Sequence, residues 1–182
     1  MKIMALALAG LAVLAAVFLF GINHIVDLSN PPLAIVGTTG SVVADPDDLK
    51  VIIPDGTEMS FDEFKQKAPD VAKLLTPLNP SKIRRDGDLF TLTGTPTTIA
   101  KQGVTVYIAG KISSEVTKSG NVITLKKIDG IDVDTGIGRA KLREATITPG
   151  PNNTATIDGK LELSRWLPWI SFSVTVDTTQ TP

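Results

Sequence analysis

Apolar and polar residues alternate with a period of two over much of the chain after Leu89. The pattern is clearest near the C-terminal end, in the run ISFSVTVD at residues 170–177. Successive side chains of a β-strand point to opposite faces, so this alternation is typical of an antiparallel sheet with one face in water. It predicts a mainly β fold, built as a curved antiparallel sheet, a sandwich or a jelly roll.

Several strands are predicted individually. Residues 104–112 alternate, Ser119-Gly120-Asn121 has the composition of a turn, and residues 122–128 alternate again, which predicts a hairpin. Further strands are expected at 49–53, 131–137, 140–148, 154–163 and 170–176. Gly110 and Gly159 each lie inside a β run, and such glycines mark bulges or bends.

One helical insertion is predicted at about residues 60–76. Ser60 and Glu63 form a capping box, in which the two side chains accept backbone N–H groups of the first helical turn. An apolar stripe at helical spacing follows, and Pro69 is expected to divide the segment into two short helices. The stripe is interpreted as packing on the sheet, with docking of a partner as the alternative.

Residues 3–20 form an uncharged, proline-free apolar run that extends to Ile22. Twenty helical residues span about 30 Å, the thickness of a bilayer's hydrocarbon core. The run is interpreted as an uncleaved signal-anchor. A cleaved secretory signal is the alternative, but its small-x-small cleavage pattern falls inside the run. Residues 3–22 therefore predict a single membrane-spanning helix.

The flanking charges predict the orientation of this helix. Lys2 precedes it, and the next basic residue is Lys50, so the N-terminus is expected in the cytoplasm and the rest outside, in the periplasm or at the cell surface. The predicted divisions are a signal-anchor at 1–26, a linker at 27–32 and an extracytoplasmic β-rich domain at 33–182. The formal net charge is −1, which gives no reason to expect nucleic acid as a partner.

Arg139, Lys141 and Arg143 alternate, so a strand would project all three from one face. This basic stripe is the candidate surface for lipid headgroups or another anionic partner. The alternative is a solvated face whose charges pair with Glu144, Asp132 or Glu162 on neighbouring strands.

Both tryptophans of the chain, Trp166 and Trp169, flank Leu167-Pro168 just before the last strand. Tryptophan combines a large apolar ring with one hydrogen-bond donor, and so suits the rim of a core, a ligand pocket or a membrane interface. The rim of the core is the first interpretation. The membrane interface and a ligand pocket remain candidates for both residues.

The composition limits the possible chemistry. The chain has no cysteine, and its one histidine is His24 beside the apolar run, so no Ser-His-Asp triad, Cys-His pair, usual zinc site or disulfide is expected in the domain. Asp134-Thr135-Gly136 resembles the active-site turn of retropepsin-like aspartic proteases, which would make Asp134 catalytic. Asp129, Asp132 and Asp134 are otherwise candidates for an irregular cation site. A solvated turn is the preferred interpretation, with no metal or cofactor.

Three classes of function remain open. The first is a non-catalytic, membrane-anchored protein with a structural, assembly or partner-binding role, which includes self-association. The second is a carrier of lipid or another apolar ligand, because one N-terminal helix followed by a β-rich domain of this size is similar to the layout of the lipopolysaccharide transport protein C family. The third is a carboxylate-dependent hydrolase.

Overall fold

The structure is a computed structural model, and it describes residues 46–101, 104–134, 138–152 and 154–177. The predicted signal-anchor and linker, at residues 1–32, lie outside the described residues. Within the described part of the chain, every helix is too short or too polar to span a bilayer.

The protein is mainly β, as predicted. The strands are β1 (Glu58–Ser60), β2 (Pro80–Asp86), β3 (Leu89–Gly94), β4 (Thr97–Lys101), β5 (Val104–Ser119), β6 (Val122–Asp134), β7 (Arg139–Pro149), β8 (Thr154–Glu162) and β9 (Ile170–Asp177). They form one antiparallel sheet in the order β1-β2-β3-β5-β6-β7-β8-β9, and β4 continues the line of β3 along β5. This order follows the chain, so the described strands make a meander and not the Greek keys of a jelly roll.

The predicted hairpin and alternation are confirmed. β5 and β6 pair across a turn at Gly120, whose φ is 58°. Inward-facing apolar side chains such as Leu125, Leu142 and Ile157 are fully buried, and their neighbours along each strand face the solvent. The period-two pattern therefore separates a core face from a polar outer face.

A line of bulges crosses the sheet. Register shifts occur between Ile108 and Ser113 on β5, between Leu125 and Asp132 on β6, and between Leu142 and Glu144 on β7. Bulges bend strands and increase their twist, so the sheet is bent along this line. The bend predicted at Gly110 lies in the β5 interruption and is confirmed.

The glycine at position 159 is explained by side-chain packing and not by the predicted bulge or bend. Its pairing with Ala145 on β7 and Phe172 on β9 continues the regular register, so no bulge is present there. An added Cβ atom would instead overlap the aromatic ring of Phe172, which lies over Gly159. The glycine makes room for this ring on the inner face of the sheet.

The helical insertion is confirmed. Helix α2 (Phe61–Lys67) begins after Ser60, whose Oγ accepts a hydrogen bond from the backbone N–H of Glu63 at 3.2 Å. Helix α3 (Pro69–Leu75) begins at the proline that was expected to divide the segment, and a 3₁₀ turn follows at Thr76–Leu78. α2 contacts β1 and β2, so it packs on the sheet.

The strand predicted at 49–53 is wrong, because this segment belongs mainly to helix α1 (Pro46–Ile52). Leu49 and Ile53 are both fully buried, and their separation of four residues is one helical turn. The Arg85 guanidinium donates to the carbonyl oxygens of Lys50 and Ile53 at 2.9 and 3.1 Å. These bonds occupy carbonyl groups at the end of the helix, where no intrahelical donor is available.

Candidate functional site

The segment that joins β8 to β9 lies at one end of the sheet. β4, β6 and β8 end there, and β5, β7 and β9 begin there. We call residues 164–170, with the sequence SRWLPWI, the aromatic loop. The topology brings this loop to the same end of the sheet as the start of β7, which carries the basic stripe.

Ser164 gives the aromatic loop a defined turn. Its backbone carbonyl accepts a hydrogen bond from the N–H of Leu167 at 3.2 Å, and its Oγ accepts one from the N–H of Trp166 at 3.4 Å. Serine often stabilises a turn through such local bonds. Arg165 and Trp166 therefore occupy the two central positions of the turn, where both side chains are exposed.

The aromatic loop carries most of the exposed large apolar side chains of the described residues. The exposed fractions are 90% for Trp166, 52% for Leu167, 46% for Trp169 and 40% for Ile170. The interpretation as a rim-of-core residue is wrong for Trp166, whose side chain is almost fully exposed, whereas the half-covered Trp169 is compatible with it. Exposed apolar patches on otherwise polar surfaces mark sites of interaction with proteins, membranes or ligands.

Two basic side chains, Lys160 and Arg165, lie in or beside the loop. Lys160 Nζ lies 5.9 Å from the centroid of the Trp169 ring and 2.8 Å from Glu144 Oε2. Arg165 is exposed beside Trp166, and no acidic residue occurs between Leu163 and Val176. A cationic side chain beside exposed tryptophans is compatible with contact to phosphate groups or carboxylates.

The three residues of the basic stripe differ in their exposure and in their contacts. All three residues lie on β7 at the outer face, but only Arg139 and Lys141 are well exposed. The Arg139 guanidinium lies 3.5 Å from the centroid of the Tyr107 ring, whereas Lys141 makes no ion pair with any described residue. Lys141 is the cross-strand neighbour of Asp132 and Glu162, so its charge is placed between two carboxylates.

Arg143 is the extra residue of the β7 bulge, and it links three strands. Its Nε donates to a carboxylate oxygen of Glu162 on β8, and its Nη1 lies 3.7 Å from Asp129 Oδ1 on β6. Both Arg143 and Glu162 are largely shielded from solvent. These contacts support the structural interpretation for Arg143, and leave Arg139 and Lys141 as the more accessible part of the stripe.

Replacing Arg143 by methionine is expected to lower the free energy of unfolding by about 1–3 kcal/mol, since Glu162 would lose a charge-assisted hydrogen bond at a shielded position. Lys141→Met is the matched control and should change it by about 0.5 kcal/mol or less, because Lys141 is exposed and makes no ion pair within the described part of the chain. Thermal unfolding of the full-length chain in mild detergent, followed by circular dichroism, measures both. Equal effects would show that Arg143 has no special structural role.

The carboxylates considered for catalysis or cation binding are placed as follows. Asp132 and Asp134 lie on β6 opposite Lys141 and Arg139 of β7, and residues 135–137 of the protease-like turn lie outside the described residues. Among the described residues, no group of three or more histidine, cysteine, aspartate or glutamate side chains is arranged to hold a metal.

A carboxylate with a shifted pKa lies on β2, away from this end of the sheet. The guanidinium of Arg84 donates two hydrogen bonds to Asp86, at 2.7 and 2.8 Å. These bonds lower the pKa of Asp86, because they stabilise its ionised form. Both residues are on the surface, so the pair is a local feature of β2.

Both tryptophans were expected as candidate site residues from the sequence, whereas Leu167, Ile170 and Lys160 were not expected on the same surface. Leu167 and Ile170 belong to the run WLPWI, whose large apolar residues are interrupted only by proline, and this run could have indicated that they share a surface with the tryptophans. Only the pairing of β8 with β9, which places Lys160 next to Ser171, shows that Lys160 lies near the loop.

In the comparisons with known proteins, no protein family, curated protein or solved structure matched this chain.

Proposed function

We propose that this protein is a non-catalytic, single-pass membrane protein whose extracytoplasmic β-rich domain binds a partner through the aromatic loop. The exposure of Trp166, Leu167, Trp169 and Ile170 in one short segment carries the binding role. Burying such side chains against a partner removes apolar surface from water, which favours association. Tryptophan and arginine are also the residue types that contribute most at binding surfaces.

The proposed anchor rests on the sequence. Residues 3–22 are long and apolar enough to span a bilayer, and the charge asymmetry favours an extracytoplasmic domain. A tethered domain meets its partners at or near one membrane. The proposed role is therefore in assembly or recognition within a cell envelope or surface complex.

The anchor is tested by alkaline carbonate extraction of membranes from cells that express the full-length chain. We expect the protein to remain in the membrane pellet, and a protease added from outside to digest the domain. A matched variant lacking residues 3–22 should be released. Release of the full-length chain by carbonate would refute the anchor.

The binding role is tested by native mass spectrometry of the full-length chain released from mild detergent. A discrete oligomer that dissociates in a Trp166→Ser, Trp169→Ser variant would identify self-association as the assembly role. A stoichiometric bound lipid that survives in this variant would instead favour the carrier function, because the ligand would then lie away from the aromatic loop.

A further inference from the structure

We propose that the aromatic loop inserts into the headgroup region of the membrane that holds the chain. The inference rests on the proposed anchor and names the partner of the loop, a bilayer surface. Trp166 and Leu167 would enter the interface, with Arg165 beside them at the level of the lipid phosphates. The domain would then touch the membrane at a second point besides its anchor.

The chemistry of the loop favours a bilayer interface over a purely apolar partner. Tryptophan concentrates at membrane–water interfaces, because its ring is apolar and its indole N–H can bond to water or headgroups. Arginine near a membrane surface is attracted to anionic lipid. Trp166, at the centre of a turn, is the most exposed of the loop's large apolar side chains, and its neighbour Arg165 supplies the positive charge.

The side chains around the loop include basic residues that could contact anionic lipid. Lys160 lies near the Trp169 ring, and Lys141 is exposed on the neighbouring strand β7. Asp132 and Glu162 lie beside Lys141, so the outer face as a whole is not strongly basic. The proposed contact is therefore primarily the insertion of apolar side chains, with a smaller contribution from anionic lipid.

The length of chain between the proposed span and the described domain permits this contact. Residues 23–45 are 23 residues, which can extend over at most about 80 Å. Strand β8, whose nine residues lead to the aromatic loop, is only about 30 Å long. The loop can therefore reach the membrane even though α1, where the described chain begins, is bonded to the other end of the sheet through Lys50 and Asp88.

Both tryptophans of the chain lie in the loop, so tryptophan fluorescence reports on it alone. The full-length protein is reconstituted into vesicles of phosphatidylcholine with and without anionic phosphatidylglycerol, using either ordinary lipids or lipids brominated on their acyl chains. Bromine quenches only tryptophans in contact with the bilayer. We expect at least a two-fold loss of emission in brominated vesicles, and a further decrease when anionic lipid is present.

Two sets of variants make the test specific. Arg165→Gln should remove much of the dependence on anionic lipid, and should leave the quenching in phosphatidylcholine. A Trp166→Phe, Trp169→Phe protein that carries Val51→Trp places the reporter at another exposed apolar position, on α1. Emission from this control should be unchanged by bromine, because α1 lies towards the opposite end of the sheet.

The outcomes separate this inference from the proposed function. Absence of quenching in protein that floats with the vesicles would refute loop insertion while leaving the anchor intact. Equal quenching at Val51→Trp would also refute it, because the domain would then lie on the membrane without preference for the loop. A blue shift that depends on protein concentration, without quenching by bromine, would replace the bilayer by a protein partner. Failure to float would refute the anchor itself.

Discussion

Replacing Gly130 by alanine is expected to lower the free energy of unfolding by about 3 kcal/mol. Gly130 lies on the bulge line in β6 with a φ of 88°, a conformation that costs an alanine about 1 kcal/mol or more. Its new Cβ atom would also overlap the carbonyl oxygen of Lys111 and lie 3.1 Å from the Cα atom of Ile112. Both obstacles are backbone atoms of β5, so relief requires the two longest strands to move apart, at an added cost of about 1–3 kcal/mol.

Gly120→Ala is the matched control for this prediction. Gly120 also has a positive φ, 58°, but an added Cβ atom there would meet no heavy atom within 4 Å. Only the conformational cost of about 1 kcal/mol should remain. In thermal unfolding of the full-length chain in detergent, Gly130→Ala should lower Tm by about 10 °C, and Gly120→Ala by about a third of that. Equal shifts would show that the close approach of β5 to Gly130 is not a constraint.

Phe64→Ala is expected to lower the free energy of unfolding by about 3–5 kcal/mol, the usual cost of truncating a buried phenylalanine. Phe64 is fully buried, its ring lies 6.0 Å from that of Phe61, and its helix α2 packs on β1 and β2. The loss of the ring would leave a cavity between the helix and the sheet.

The same helix provides the control, because Gln66 is exposed and Gln66→Ala should change the free energy of unfolding by about 0.5 kcal/mol or less. Urea and thermal unfolding of both variants decide between the two interpretations of the apolar stripe. If α2 were chiefly a docking element for a partner, Phe64→Ala would leave the midpoint near that of the unaltered chain, as Gln66→Ala does.

The sequence predicts most of the strands and the helical insertion, because each depends on local patterns. Period-two alternation over long runs identifies β5 to β9, although the single strand β6 was expected as two strands, at 122–128 and 131–137. The Ser60 capping box and Pro69 locate the starts of α2 and α3. These signals are strong because the burial of one face and the bonding of the helix ends both act on residues close in sequence.

The wrong assignments concern segments whose structure depends on distant contacts. The five residues 49–53 are too few to distinguish a helical turn from a strand, and their helical form is supported by Arg85, more than 30 residues away. Gly159 was expected to mark a bulge or bend, but the register there is regular and its role depends on the ring of Phe172 in the next strand. Neither the contact of Arg85 with α1 nor that of Phe172 with Gly159 can be predicted from the local sequence pattern.

The candidate site was predicted in its residues but not in its arrangement. Alternation placed Arg139, Lys141 and Arg143 on one face, and Glu162 was among the carboxylates expected to pair with them. Only the pairing of β7 with β6 and β8 shows that Arg143 is the residue bound to Glu162, and that Asp129 also lies near it. The exposure of Trp166 likewise follows from the turn at Ser164 and could not be read from its side chain, which is equally suited to a core.

The sequential strand order also has a consequence for how the chain folds. From β5 to β9, each strand pairs with the one synthesised just before it, so every pairing closes only a short loop. Closing a short connection between neighbouring strands costs less chain entropy than joining strands that are distant in sequence. During synthesis the sheet can therefore grow one hairpin at a time from the β5–β6 pair, without waiting for the C-terminal strand. Among the described connections, the aromatic loop would form last, after β4 to β8 at its end of the sheet are in place.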